Sequence, residues 1–463
     1  MSETAINWTR DAAAHLLRRA GFGGTPAEID DLYGRGLAGA VSRLVDYDSI
    51  DTTAYEAALT ARAYNQATNR GIQQWFMDRM AFSPRPLEEK MTYFWNLHWT
   101  SGISKVQGVT LMLNENKTMR QYAVGKFDDL AVKISQDPAM LVWLDNWLSQ
   151  PPHANENYAR ELMELFAVGV SSGYTQTDVT MVARALTGWT LTPNSYKKDD
   201  NYNGATFFDN AAKHDNGSKT ILGQTGNWNG YDALNIILNW TGPSGSKSGR
   251  FICAKLWTYF AYTNPTDDVV SQLTAVWTTS GRSIREVLRA LFMMPEFYEA
   301  HSYKKWVRSP VEYAVAAVRM LEGQSDFAAP ANSLIGMGQA LFNPSDAKGP
   351  DWGLSWMNTG TLFARANLVN TLCTNRASTG TRFDPNALLA GHDASTADKV
   401  VDLMAGRLNV TDVPSPTRQA WINYMNRNDS GGAQTWTNTP ANVDKKVRGL
   451  THLMLTSPAF HLA

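Results

Sequence analysis

The stretch HANENYARELMELFAVGVSSGYTQTDVTMVARALTGW (residues 153–189) decides the fold class. Tyr158, Leu162, Leu165 and Phe166 recur at helical spacing and form one apolar stripe. Glu156, Arg160, Glu161 and Glu164 occupy the remaining faces, with Glu161 at the edge of the stripe. The spacing predicts a helix over 155–169, a Gly/Ser break, and a second amphipathic helix over 176–188 that ends on Thr187-Gly188-Trp189.

Outward from this pair, helical periodicity continues almost everywhere. Helices are predicted at 9–21, from Pro26 behind an N-cap at Thr25, at 71–81 and 87–99 around the SPRP break, and at 111–123, 126–135 and 137–148. They resume at 231–240, 248–261, 267–278, 283–293 and 309–322. After a Gly/Pro/Asn-rich connector at 342–360 they continue at 361–373, 396–407, 415–427 and 440–456. Residues 190–230 break the pattern: ATFFDN and KTILG read as two short strands around a turn at His214-Asp215-Asn216-Gly217. The expected fold is all-α, a multi-helix globular domain with a small β-hairpin insertion around 205–223. Its expected division is a main helical domain (1–330), with the insertion near 190–230, and a C-terminal helical subdomain (331–463) packed on it. One internal echo is visible, IREVLRALFMMPEF (284–297) against VRGLTHLMLTSPAF (447–460), each a helix stopped by Pro with an aromatic behind it.

Composition narrows the function classes. The chain has 463 residues, 43% hydrophobic and 18% charged, with a net charge of −1 and no Lys/Arg tract, so it lacks the electrostatic footprint of a nucleic-acid partner. No apolar run is long enough for a membrane span, and the start lacks the basic-then-apolar pattern of a signal peptide, which predicts a soluble, cytoplasmic protein. Two cysteines, Cys253 and Cys373, are too few for a disulfide scaffold or a thiolate metal site. No HExxH, GxSxG, Walker loop or Rossmann fingerprint occurs. Sixteen Trp are present, and Trp189, Trp228, Trp240, Trp352, Trp356 and Trp436 sit beside polar turns, where indoles stack on sugars or finish a core edge.

The charged residues admit two readings. Glu156, Arg160 and Glu164 at i, i+4, i+8 form an ion-pair ladder on an exposed face, or they line a reactive cleft. Glu161, partly desolvated, suits general-acid work or metal ligation. His98 faces inward with Met91, Phe94 and Trp95, as a structural histidine or a ligand; His214-Asp215 is a turn or an oriented imidazole. Arg18 and Arg19, before the Gly-rich GFGG stop, cap their own helix or point into an anionic pocket.

HLLRRAGFGGTPAEID (15–30), NENYARELMELFAVGV (155–170), YTQTDVTMVARALTGW (174–189), HDNGSKTILG (214–223), SPVEYAVAAVRML (309–321) and GQALFNPSDAKGPDWGLSWMNTGTLFARAN (338–367) follow in this order. The series closely resembles the bacterial family catalogued as domain of unknown function 1800, across nearly the whole chain. The resemblance implies no established reaction. Many members are exported and encoded beside a sulfatase-like or phosphatase-like partner, so it implies an envelope or extracellular-polymer role. Two departures stand out. Asn96 replaces the family's second His two positions before His98, and the family's Lys-Gly-Trp-Pro segment reads Lys348-Gly349-Pro350-Asp351-Trp352.

Three functions are expected. The leading one binds or hydrolyses a carbohydrate-like polar polymer in a Trp- and carboxylate-lined cleft. Glu161 or Glu164 is then the acid, Glu156, Asp178 or Asp215 the base with Arg160 beside them, and Trp189, Arg184, Trp95, Trp352 and Arg18 hold substrate. The second is a divalent-metal enzyme ligated by His98, Glu161, Glu164 and His214. The third is a non-catalytic scaffold with a protein partner.

Overall fold

Every residue of the helix Pro310–Met320 is buried. Its sequence PVEYAVAAVRM carries mostly Ala and Val, whose small side chains let neighbouring helices approach closely. Asn69–Phe82, Ala328–Gly336, Thr359–Thr374 and Ala397–Leu408 all pack against it. A capping box starts it: Ser309 Oγ accepts the Glu312 N–H, and Glu312 accepts the Ser309 N–H.

The computed structural model describes residues 6–192, 202, 204–350 and 352–463. Among these, twenty-three α-helices and three two-stranded antiparallel ladders make an all-α fold with a small β insertion. No described helix is long and apolar enough to cross a membrane. One continuous cluster of buried apolar side chains runs from Ala13 to Ala463.

Predicted and observed helices agree closely, because each has a local stop or start. Thr25 is the expected N-cap of Pro26–Gly34, and Glu28 completes a capping box with it. Pro86 opens Pro86–His98 after Asn69–Phe82 ends at Ser83. The echoed segments are alike in space: Ile284–Met293 leads into a 3₁₀ turn Pro295–Tyr298, and Pro440–Leu455 into Pro458–His461. Phe297 and Phe460 are fully buried in these turns.

Two details differ from expectation. The acidic helix is α-helical only over Glu156–Glu161 and widens into a π-turn, Leu162–Ala167. The π-turn frees two carbonyls: Leu165 O accepts from Lys255 Nζ (3.0 Å) and Phe166 O from His98 Nε2 (2.9 Å). Periodicity over one turn cannot register a single inserted residue. Within the insertion, Phe207–Asp209 pairs with Trp189–Leu191, and Lys219–Ile221 with Gln224–Gly226, so the two expected strands do not pair with each other. The turn between them carries a 3₁₀ segment, Ala211–Lys213, and Gly188 (φ +87°) turns the preceding helix back into the first ladder. A Cβ at Gly188 would lie 2.7 Å from Asn210 O, so no other residue fits there.

Below the helix Val109–Gln121, Glu89 is wholly buried and bonded by Arg79 (2.8 Å) and Arg120 (2.8 Å). Arg79 also reaches the half-exposed Glu56 (2.7 Å). Burial raises the Glu89 pKa, but the two guanidiniums outweigh it and hold the group ionised. Glu89→Gln strands Arg120 and leaves Arg79 only the half-exposed Glu56, and is expected to cost about 3–5 kcal/mol in urea unfolding, whereas Glu56→Gln costs about 1 kcal/mol or less. Equal losses would show that the buried pairing does not hold these helices together.

Candidate functional site

A cavity of about 630 Å³ opens between the end of the helix Pro86–His98 and the connector that follows Ala328–Gly336. Asn96, Thr100 and Ser101 form one wall, and Gln339, Asn343 and Asn358 stand on the other. Leu97, Ile335, Phe342 and Trp356 supply its apolar surface. Among the described residues that line it, none is charged. Gly349 (φ +83°) brings the connector against the first wall, where a Cβ would lie 3.0 Å from Leu97 O and from Thr100 Oγ1.

Beside Trp356 stands Trp352, with 37% of its surface exposed. Its indole contacts Trp306 (5.7 Å between centroids) and meets Tyr259 edge-on (5.8 Å). The aromatic wall therefore runs from the cavity mouth into the protein. At the back, Gln339 Nε2 donates to Tyr93 OH (2.6 Å), which bonds Ser309 Oγ (3.0 Å). That chain ties the cavity to the N-terminus of Pro310–Met320 and to its buried Lys90–Glu312 ion pair.

Under the Ser101 wall lies a buried pair of acids. Ser101 Oγ is hydrogen-bonded to Glu115, whose other oxygen has no partner. Burial, and then the charge of Asp137, push the Glu115 carboxyl well above its usual range. Burial likewise raises Asp137 to about 7, although its side chain caps the helix Pro138–Trp143 by accepting from Ala139 N (2.8 Å). Ser101 Oγ donates to the Glu115 carboxyl and also lies 3.7 Å from Met112 Sδ, so the serine hydroxyl is held against the acid pair. The signal was present in the sequence: Glu115 shares the apolar face of its helix with Leu111, Met112 and Met119.

The residues singled out from sequence are dispersed. Glu156 accepts from Thr180 (2.7 Å), Gln176 (2.7 Å) and Arg160 (3.0 Å), which lower its pKa, and Arg160 lies 3.7 Å from Glu164. This is the ladder. Asp178 caps its own helix and accepts from Leu222 N (2.7 Å); these bonds outweigh its partial burial and keep it ionised. Asp215 is paired with Arg184 (2.7 Å), which pulls its pKa to about 2. Glu161 alone of the set is raised, by burial first, then by Glu164, with Asp346 of the connector adding to it.

Both ring nitrogens of His98 are taken: Nε2 donates to Phe166 O, and Nδ1 accepts from Lys255 Nζ (3.1 Å). Burial and Lys255 hold its pKa well below the usual value. His214 lies on the insertion, with Nδ1 3.0 Å from Thr187 O. His98, Glu161, Glu164 and His214 do not converge, and no three His, Cys, Asp or Glu among the described residues are placed to hold one metal ion. Trp95 is buried with Nε1 on Ala123 O (2.8 Å), and Trp189 is buried against Tyr231 and Phe207, so neither indole presents a face to a ligand. Trp436 and Trp356 are buried too, and Trp228 and Trp240 are half-buried. Arg19 does cap a helix C-terminus, although of Lys247–Phe260 and not its own, by donating to Phe260 O (2.8 Å) and Tyr259 O (2.6 Å). Arg18 is buried elsewhere, beside His15.

The acid pair makes stability depend on pH. With folded-state values above the unfolded carboxyl range of about 4, its contribution is complete below that range and is lost as pH rises through about 7. The melting temperature should therefore fall between pH 5 and 8, and Glu115→Gln should flatten that slope. Parallel wild-type and variant curves would show that the pair is not proton-linked.

Residues 15–462 match the family model described as protein of unknown function, DUF1800. No curated protein and no solved structure matches the chain. The family match spans the LLRRAGFG helix, the acidic helix, the cavity walls and the buried central helix together, and on that basis the chain belongs to the DUF1800 family.

Proposed function

We propose that the cavity binds a polyhydroxylated, carbohydrate-like ligand. The observation that carries this reading is its lining. Hydroxyls and side-chain amides stand on both walls, charges are absent among the described lining residues, and Trp356 lines one end with the exposed Trp352 beside it. Neutral donors and acceptors match sugar hydroxyls, while an exposed indole covers the apolar face of a pyranose. Glu161 is not among the lining residues; it feels the charge of Asp346, next to the lining Ser345, and burial and Glu164 raise its carboxyl, which suits it to protonate a glycosidic oxygen of a ligand that extends past Ser345. Glu156, Asp178 and Asp215 are engaged as ionised structural partners and have no part in this chemistry.

Soluble oligosaccharides titrated against intrinsic Trp fluorescence test the reading. Trp352→Ala should weaken binding about tenfold or more, from the loss of one stacking surface, with little change in melting temperature. Glu161→Gln should leave binding intact and abolish any turnover of the bound glycan. Absence of saturable binding across neutral oligosaccharides would overturn the proposal.

A protein partner covering the same rim is the second reading. It is favoured by Ile335 (71% exposed), which lines the cavity, and Leu354 (80%), next to the lining Ser355. Leu354→Ser should then abolish co-purification of a partner while leaving glycan binding unchanged; retained co-purification removes this reading.

A further inference from the structure

Four cations lie inside the protein beneath the helix Arg10–Ala20 with no carboxylate in contact. Arg18, Arg308 and Arg365 are each buried, and Lys304 is half-buried at their outer edge. Among the described residues none of the four forms an ion pair. Arg18 and Lys304 feel the charge of Asp11, Lys304 that of Asp412, and Arg308 and Arg365 that of Glu312, but Glu312 is bonded to Lys90 and to the Ser309 N–H and none of these carboxylates touches the four cations. Arg308 feels the charge of Arg18, and Lys304 feels both, so the three stand close together.

The donors are oriented but unfilled. His15 donates from Nε2 to Phe297 O (3.0 Å), and its Nδ1 accepts Arg18 Nη2 (3.3 Å). His461, on the echoed 3₁₀ turn, uses Nδ1 to hold Arg365 Nη1 (3.4 Å), while Arg365 Nη2 donates to Arg308 O (2.9 Å). Both imidazoles are neutral, lowered first by burial and then by the arginines they hold. The Arg308 guanidinium lies 4.4 Å over the Phe460 ring. After these contacts Arg18 Nε and Nη1, Arg308 Nη1 and Arg365 Nε remain buried without a partner. Burial lowers Arg18 to about 10, and burial with Arg18 lowers Arg308 to about 9. Both therefore stay charged at neutral pH. Water can satisfy an N–H, but with the carboxylates out of contact the buried charge is offset only in part, which is unfavourable.

We infer that Arg18 and Arg308, with Lys304 at the rim, form a binding site for a tetrahedral oxyanion, sulfate or phosphate, either free or as a substituent of a larger ligand. Guanidinium N–H groups in fixed planes match the oxygens of such an anion, and one dianion offsets most of the charge. The site is independent of what the cavity binds.

Thermal unfolding of the full chain tests it, in millimolar sodium sulfate or sodium phosphate against sodium chloride at equal ionic strength. Saturable stabilisation on the order of 2 °C or more is expected with sulfate or phosphate and none with chloride. Arg18→Met and Arg308→Met should lose the response, and Arg376→Met, at an exposed arginine, should keep it. Should the buried variants fail to fold, Lys304→Ala is the reporter, with a half-saturation concentration raised fivefold or more. Glucose 6-sulfate and glucose 6-phosphate distinguish the source: a midpoint tenfold below that of the inorganic ion assigns the oxyanion to a sugar, and an equal midpoint assigns it to the free ion. The site is overturned by a response that is linear in salt, equal in chloride, or unchanged in Arg18→Met, Arg308→Met and Lys304→Ala.

Discussion

The helix Pro310–Met320 has no face on solvent, yet it carries Glu312 and Arg319. Those two charges must be satisfied from inside, and their partners set where the surrounding helices lie. Glu312 takes Lys90 from Pro86–His98 and feels the charge of Arg19 from Arg10–Ala20. Arg319 donates to Gly23 O (2.9 Å) and to Ala81 O, and reaches Glu28 on Pro26–Gly34. Four helices from the first hundred residues are thereby locked to one helix more than two hundred residues later. The cavity is a consequence of that arrangement, because Tyr93 and Gln339 bridge from its back wall to the cap at Ser309.

Two electrostatic environments result, a short distance apart along the Trp352–Trp306 wall. The cavity is neutral and hydroxyl-rich, with a buried carboxyl of raised pKa beneath it. The region around Arg18 and Arg308 is cationic and buried. Arg19 sits between, its guanidinium 5.2 Å from the Trp306 ring and its donors spent on a helix end. Neutral polar surface favours a ligand whose many weak hydrogen bonds replace those of water one for one. Buried unpaired cations favour a ligand that brings charge.

The acidic helix shows how far sequence reading reaches into a site. Its ladder of Glu156, Arg160 and Glu164 was legible because i, i+4 neighbours meet on any helix. The desolvation of Glu161 followed from its place at the edge of the stripe. Its distance from Asp215, and the pairing of Asp215 with Arg184, did not, since these depend on how the insertion folds over the next helix. The inward histidine was legible as well. That its two nitrogens are spent on Phe166 O and Lys255 depends on a π-turn that periodicity does not register. Trp189 was indistinguishable from Trp352 by neighbours in sequence, since both sit beside polar turns, and burial alone separates them.

By itself the sequence determined the helices, their caps and their stops, because those obey contacts within about four residues along the chain. Thr25 with Glu28 and Ser309 with Glu312 are complete signals wherever they occur. Only the tertiary structure decided that Glu115 meets Asp137, that Ser101 opens to a cavity above them, and that Arg18 finds Arg308 instead of a carboxylate. The physical reason is range. Charge and hydrogen-bond partners inside a protein are assigned by which surfaces exclude water together, and that is a property of the packed chain and not of any one segment.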